Sequence, residues 1–351
     1  MPVPRLFAAL LLAFLAWPAA APAPVRAGER TRTVGFVLPS RREERWWRDL
    51  AVVVEEAQKR EVELKVRMAN SDQDEEDAFI DELLAEGVDV LMVAAQDTGA
   101  LAATIRRIRQ DGAKVVVYDR IVNDCEYELY VGFDSVRVGE LQGEWITARV
   151  PKGRYLVMSG APTDANAALF RAGLQNVLGP LVEKGDITLA ADLPIEDWDP
   201  AHAERIVREV MAREGNRLDA IVAPNDHTAG GAIRALEALG LAGRIPVTGH
   251  DGDAAAAQRI LDGTQCMTVL KDTRTLGREG LRMAGRLAAS LPMLGEVPGL
   301  RLMGNGGTQV PTLLIDPVMV DADNIQEVLF DSGYLQREGN AIRAVRTEMP
   351  E

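Results

Sequence analysis

The chain has 351 residues and a mass of 38.1 kDa, with 47% hydrophobic and 26% charged residues, proportions that exclude a disordered, collagen-like or disulfide-dense protein. Its 39 Lys and Arg face 53 Asp and Glu, a net charge of −14 with no basic cluster to offset it, so a nucleic-acid partner is not expected. The length suits two domains, each large enough for its own core.

Residues 1–27 read as a cleavable signal peptide. Arg5 precedes an apolar run from Leu6 to Trp17, and Val25 and Ala27 suit the −3 and −1 positions of a signal peptidase site. The run is too short to span a bilayer core of about 30 Å as a helix. The mature chain is therefore expected to be exported. Export makes a disulfide between Cys125 and Cys266 chemically permissible, but nothing in the spacing decides between a bridge and two free thiols.

From residue 33 onward, short β-branched runs alternate with longer amphipathic stretches. Strands are expected at Val34–Leu38, Glu63–Met68, Val88–Val93, Lys114–Tyr118 and Leu129–Phe133, then at Arg154–Met158, Ile187–Ala191, Ala220–Ala223, Pro246–Gly249, Met267–Leu270 and Thr312–Ile315. Several are almost continuously apolar, as parallel strands buried on both faces must be. Between them, Phe79, Ile80, Leu83 and Leu84 share one face of a helix expected over Asp77–Glu86, with Ser71 and Asp74 ahead of it in capping-box spacing. Repeated βα units of this kind predict an α/β fold of two doubly wound parallel sheets.

Ligands of such sheets sit at the carboxyl ends of the strands. The residues there are polar: Tyr118-Asp119-Arg120, Asn225-Asp226, His250-Asp251 and Lys271-Asp272. Any one fits a solvated strand end; four together suggest a site. Phosphate-loop, dinucleotide-fingerprint and nucleophile-elbow motifs are absent from the sequence, and His202, His227 and His250 show no metal-ligand spacing. The run Asp72 to Asp77 would put Asp77 where a calcium loop needs glycine, so it reads as a solvated helix start. No catalytic residue, metal or cofactor is expected.

Eight blocks then make the chain recognisable. They are Glu44-Arg45-Trp46, Gly87 to Leu91 (GVDVL), Tyr118 to Asp124 (YDRIVND), Val138 to Gln142 (VGELQ), Asn166 with Leu169 to Gly173 (LFRAG), Asn225-Asp226 with Thr228 to Ile233 (TAGGAI), Gly249-His250-Asp251, and Gly263 to Val269 (GTQCMTV). In these the mature chain resembles the periplasmic pentose- and hexose-binding, ribose-binding-like proteins of bacterial ABC importers. The resemblance implies a type I periplasmic binding protein fold, two α/β domains joined by a three-segment hinge with crossings near Asp134, Leu270 to Thr273 and Val310 to Leu314. The first domain would combine 28–134 with 272–310 and the second 135–271 with 311–340, leaving 341–351 as a flexible tail. It implies a non-enzymatic, monomeric receptor in the periplasm that closes on a monosaccharide, with D-xylose first, and delivers it to an ABC transporter permease. The alternative is a broader receptor for arabinose, glucose or galactose that feeds a membrane sensor kinase or chemoreceptor.

Sugar hydroxyls both donate and accept, and charged planar groups can take two at once. The ligand-binding residues the resemblance implies are Arg45, Asp119, Arg120, Asn166, Arg171, Asn225, Asp251 and Lys271, with Trp46, Phe170 and Trp198 as aromatic walls. Pro39-Ser40, Pro194 and His250 depart from the residue types expected in close relatives, and each could widen the pocket.

Overall fold

The computed structural model describes residues 32–339 and 341–344. The expected signal peptide lies outside them. The first half of the chain lays down β1 (Thr33–Leu38), α1 (Glu44–Lys59), β2 (Glu63–Met68), α2 (Gln73–Ala85), β3 (Val90–Val93), α3 (Thr98–Gln110), β4 (Val115–Tyr118) and β5 (Leu129–Phe133). It crosses at Asp134 into α4 (Ser135–Arg149), β6 (Gly153–Ser159), α5 (Ala165–Glu183), β7 (Ile187–Pro194), α6 (Pro200–Arg213), β8 (Ala220–Val222), α7 (Asp226–Ala238), β9 (Val247–Thr248), α8 (Ala254–Leu261) and β10 (Met267–Leu270). It returns through α9 (Thr273–Ala288), β11 (Arg301–Asn305) and β12 (Thr308–Ile315), then crosses again to β13 (Val318–Asp321), a π-helical turn, β14 (Leu335–Glu338) and β15 (Ala341–Ala344).

Two sheets result, in orders β11-β12-β5-β4-β3-β1-β2 and β7-β6-β8-β9. The antiparallel pair β10-β13 extends the second, because Cys266 and Val269 donate their amides to the carbonyls of Val247 (3.0 Å) and Gly249 (3.1 Å). Alternation along each strand feeds a core on either face. Val34, Phe36 and Leu38 pack with Leu50, Val53 and Leu276 of α1 and α9, while Val37, Leu91 and Val93 pack with Ile80, Leu101 and Ile105 of α2 and α3. In the second sheet Tyr155 and Val157 face Ile146 and Leu174, and Leu156 and Met158 face Val207 and Leu236.

The structure differs from expectation at several points. The α2 cap is Asp72, which accepts from the amide of Glu75, and not Ser71, whose φ of 62° takes it out of helical geometry. β12 stays beside β5 through Ile315, so residues 311–315 belong to the first sheet and not to the second domain. β11 was not expected because it is a mostly exposed edge strand, RLMGN, without a continuous buried apolar run; the Gly306-Gly307 turn, with φ of 54° and 89°, folds it onto β12. Ala341–Ala344 are not tail: they pair antiparallel with Leu335–Glu338, while 345–351 lie outside the described residues. Cys125 and Cys266 are free thiols.

The acidic helix start is also not wholly solvated. Glu76 is fully buried, accepting from the Gln96 amide (2.7 Å) and the Gln73 side chain (3.3 Å), and burial pushes its carboxyl from 4.5 up to about 8. A raised acid stays protonated in the fold while the unfolded chain ionises, so its contribution is intact below about pH 4.5 and is lost as pH rises towards 8. Glu76→Gln, neutral and isosteric, is expected to gain stability over wild type between pH 5 and 8, by about 1.4 kcal/mol for each pH unit at most. Urea melts at both pH values test this, and parallel pH dependence in the two proteins would refute it.

Candidate functional site

Where the two sheets face each other, a narrow cleft is lined by Glu43, Arg45, Trp46, Asp119, Arg120, Asp164, Asn166, Phe170, Trp198, Asn225, His250, Asp251 and Lys271. These come from the carboxyl ends of β1, β4, β6, β7, β8, β9 and β10 and the segments that follow, as parallel-sheet topology requires. The lobes touch around it. Thr98 donates its amide to the Thr163 carbonyl (2.9 Å), Arg42 reaches the Asp197 carbonyl (3.0 Å), and Arg48 bonds Gly252 O (3.2 Å) and Asp253 Oδ1 (2.8 Å).

At the centre, two carboxylates and two cations interlock. Arg45 Nη2 lies 2.9 Å from Asp119 Oδ1 and Arg45 Nη1 3.5 Å from Asp251 Oδ1; Lys271 Nζ is 3.0 Å from Asp251 and 3.9 Å from Asp119. Burial alone would raise both carboxyls, but Arg45 and Lys271 outweigh it and hold each below its ordinary value, so both are ionised. Each sits on strained backbone at a strand end, with φ of 60° at Asp119 and 108° at Asp251. The Asp119 turn is pinned from outside: its carbonyl accepts from Tyr130 Oη and Asn166 Nδ2, both at 2.8 Å, and Asn166 Oδ1 takes the Ile121 amide (3.2 Å). Asn166 thus positions the turn with both ends of its amide.

Arg120 forms a second cluster. It donates to Ala95 O (2.8 Å) and pairs with Asp164 Oδ2 (3.0 Å), and burial raises the Asp164 carboxyl against that pull. Asn225 caps α7, its side-chain oxygen accepting from the Thr228 amide (2.8 Å), which leaves its NH₂ for the cleft.

Aromatic rings close the remaining sides. The guanidinium carbons of Arg45 and Arg120 lie 4.4 and 5.3 Å from the Trp46 ring, which fixes both forks. Phe170, Trp198 and His250 form a cluster with centroids 4.6 to 6.5 Å apart. Two successive residues at positive φ, Asp197 and Trp198, swing the indole against Gly160, where a Cβ would come within 2.2 Å of the ring. Burial lowers His250 to about 3 despite Asp251 beside it, so its imidazole is neutral.

All the expected side chains therefore line this cleft except Arg171. That residue is half-buried on the neighbouring face of α5, paired with Asp192 and bonded to Gln175 Oε1 (2.9 Å), because one step along the helix from Phe170 turns it away from the cleft. Pro39, Ser40 and Pro194 do not line it either, whereas His250 does. Glu43 and Asp164 were missed by sequence reasoning. Asp164 was the more findable, standing two residues before Asn166 in the loop that follows a strand.

Chemically this is a box for hydroxyls. Its lining contains no serine, threonine or cysteine nucleophile, and no cluster of residues able to hold a metal exists among the described residues. Buried donors and acceptors without a protein partner, including Arg45 Nε, Trp198 Nε1 and His250 Nδ1, belong to the lining.

Comparison with known proteins gives the same picture. Residues 34–291 match the periplasmic binding protein domain. The chain is 36% identical over 301 residues to the D-xylose-binding periplasmic protein of Escherichia coli, covering 86% of this chain and 90% of that one. It is 32% identical over 321 residues to a multiple sugar-binding periplasmic protein of Azospirillum brasilense, covering 86% and 89%. The crystal structure of an ABC transporter solute-binding protein from Clostridium phytofermentans with bound β-D-glucose superposes with a TM-score of 0.79 at 28% identity, over 86% of this chain and 98% of that one. The strand-end box between two parallel sheets and these matches lead to one statement: the chain belongs to the periplasmic binding protein family, whose members bind sugars and perform no chemistry on them.

Proposed function

We propose that this protein is an exported receptor that captures D-xylose between its two lobes and delivers it to an inner-membrane ABC transporter permease. The observation that carries the reading is the Arg45–Asp119–Asp251–Lys271 cluster, whose members come from both sides of the cleft and lie beside aromatic faces. Ionised groups held in place present several charge-assisted bonds to a ring of hydroxyls, and rings pack on its C–H faces. A ligand that contacts both lobes favours the closed arrangement by that differential contact. The D-xylose-binding relative at 36% identity supports the choice of sugar. Export rests on the leader at 1–27, and the permease on the family.

Arg120, Asp164, Asn225, Trp46, Phe170 and Trp198 complete the proposed contact set. The lobes proposed are 32–134 with 272–315 and 135–271 with 316–344, hinged at Asp134, Lys271-Asp272 and Asp316-Pro317. Thermal unfolding of the mature protein against a panel of pentoses and hexoses tests the reading. Millimolar D-xylose, at about 100 times a micromolar-range Kd or more, is expected to add roughly 2.7 kcal/mol or more of stability. An equal response to arabinose, glucose and galactose would replace xylose with a broad receptor; no response to any sugar would sink the assignment.

A further inference from the structure

Glu43 stands apart from the other charged groups of the cleft. It occupies the N-cap of α1 in extended geometry, φ −86° and ψ 131°, yet its side chain makes no capping bond. That position ordinarily goes to a short residue whose oxygen reaches back to the first amides of the helix. The Glu43 side chain is instead part of the cleft lining, 8% exposed, with Oε2 buried and without a hydrogen-bond partner. The three other lining carboxylates each have a cation: Asp119 has Arg45 at 2.9 Å, Asp251 has Lys271 at 3.0 Å and Asp164 has Arg120 at 3.0 Å. Among the described residues Glu43 forms no ion pair. Its neighbour Arg42 is committed across the cleft to the Asp197 carbonyl (3.0 Å), and its other charged neighbour, His227, is half-buried and held towards its neutral form by burial.

A buried carboxylate oxygen without a partner is costly in the fold, and evolution of a core would replace such a group with an apolar side chain. The Arg42–Asp197 link also sets Glu43 at the same edge of the cleft as Trp198, whose indole N–H is buried and unpartnered as well. One edge thus carries an unmet acceptor and an unmet donor, the complement of a hydroxyl.

We infer that Glu43 is a specificity-determining contact for the bound sugar: its carboxylate accepts a hydrogen bond from a ring hydroxyl at the Trp198 edge of the cleft. This rests on the sugar-binding reading above. The carboxylate is placed by α1 in the first lobe and the indole by the second, so the hydroxyl is held only when the cleft is closed.

The test is isothermal titration calorimetry with D-xylose on wild type, Glu43→Leu and Glu43→Gln, beside melting of each protein without sugar. A charge-assisted bond of the usual strength predicts a 10- to 100-fold weaker Kd in Glu43→Leu and a smaller loss in Glu43→Gln, which keeps an acceptor. The sugar-free melting temperature of Glu43→Leu is expected to hold or rise, since a buried acceptor without a protein partner has gone. D-xylose affinity in Glu43→Leu within twofold of wild type would overturn the inference. So would a fall in sugar-free melting temperature accompanying the loss of affinity, which would mark Glu43 as a structural residue. Wild type that binds no sugar would defeat the receptor reading itself, a result distinct from either.

Discussion

Replacing Asp251 with alanine is expected to weaken D-xylose binding by roughly a hundredfold to ten-thousandfold, the loss of about two charge-assisted hydrogen bonds. The side chain is almost fully buried and its Oδ1 lies 3.0 Å from Lys271 Nζ and 3.5 Å from Arg45 Nη1. Truncation would do more than remove an acceptor. It would leave two buried cations with Asp119 as their remaining shared counter-ion in the cleft, and breaking a buried pair on one side costs about 3–5 kcal/mol. Both effects should be visible: no heat on titration with D-xylose, and a lower urea midpoint. Asp251→Asn keeps the shape and one acceptor, so it should recover part of the stability and less of the affinity. Undiminished affinity in Asp251→Ala would take this residue out of the site.

The second large effect lies in the packing beneath the site. Helices α4 and α5 cross backbone to backbone at two glycines: a Cβ on Gly173 would come within 1.9 Å of the Val136 carbonyl oxygen, and one on Gly139 within 2.0 Å of the Phe170 carbonyl oxygen. Neither glycine has positive φ, so its role is close approach and not turn geometry. Gly173→Ala must therefore separate two helices whose carbonyls cannot yield, and we expect a loss of about 3 kcal/mol, at the upper end of overpacking costs. Because α5 carries Asn166 and Phe170 into the cleft, sugar affinity should fall with it. Gly285→Ala in α9 is the control, for nothing lies within 4 Å of the point its methyl would occupy, and it should gain up to about 1 kcal/mol from helix propensity. Equal melting temperatures for Gly173→Ala and wild type would show that the helices can slide apart freely.

The reach of the sequence follows the range of the forces involved. Parallel strands such as Val90–Val93 and Val115–Tyr118 are legible because burial on both faces demands unbroken apolar runs, and chain direction then forces the site to their carboxyl ends. That is why position alone singles out Asp119, Asn225, Asp251 and Lys271, whatever their neighbours. β11 and β15 carry no such demand, being exposed edges held by antiparallel partners, and they pass for loop.

What the sequence determined by itself was local and periodic: the α/β alternation, the strand ends, the charge, and the motifs that place the chain in its family. The tertiary structure alone decided which polar residue faces which. Arg171 and Phe170 are adjacent in one motif, yet the turn of about 100° between successive helical residues sends Phe170 into the cleft and Arg171 to Asp192. Glu76 looks like a member of an ordinary acidic surface run and Glu43 like part of a mixed charged one, Arg41 to Arg45; only the packing of α2 against the first sheet and the closing of the second lobe over α1 bury them. Burial is a sum over contacts distant in sequence, and it sets both the ionisation of a carboxylate and whether it is left to find its partner in a ligand.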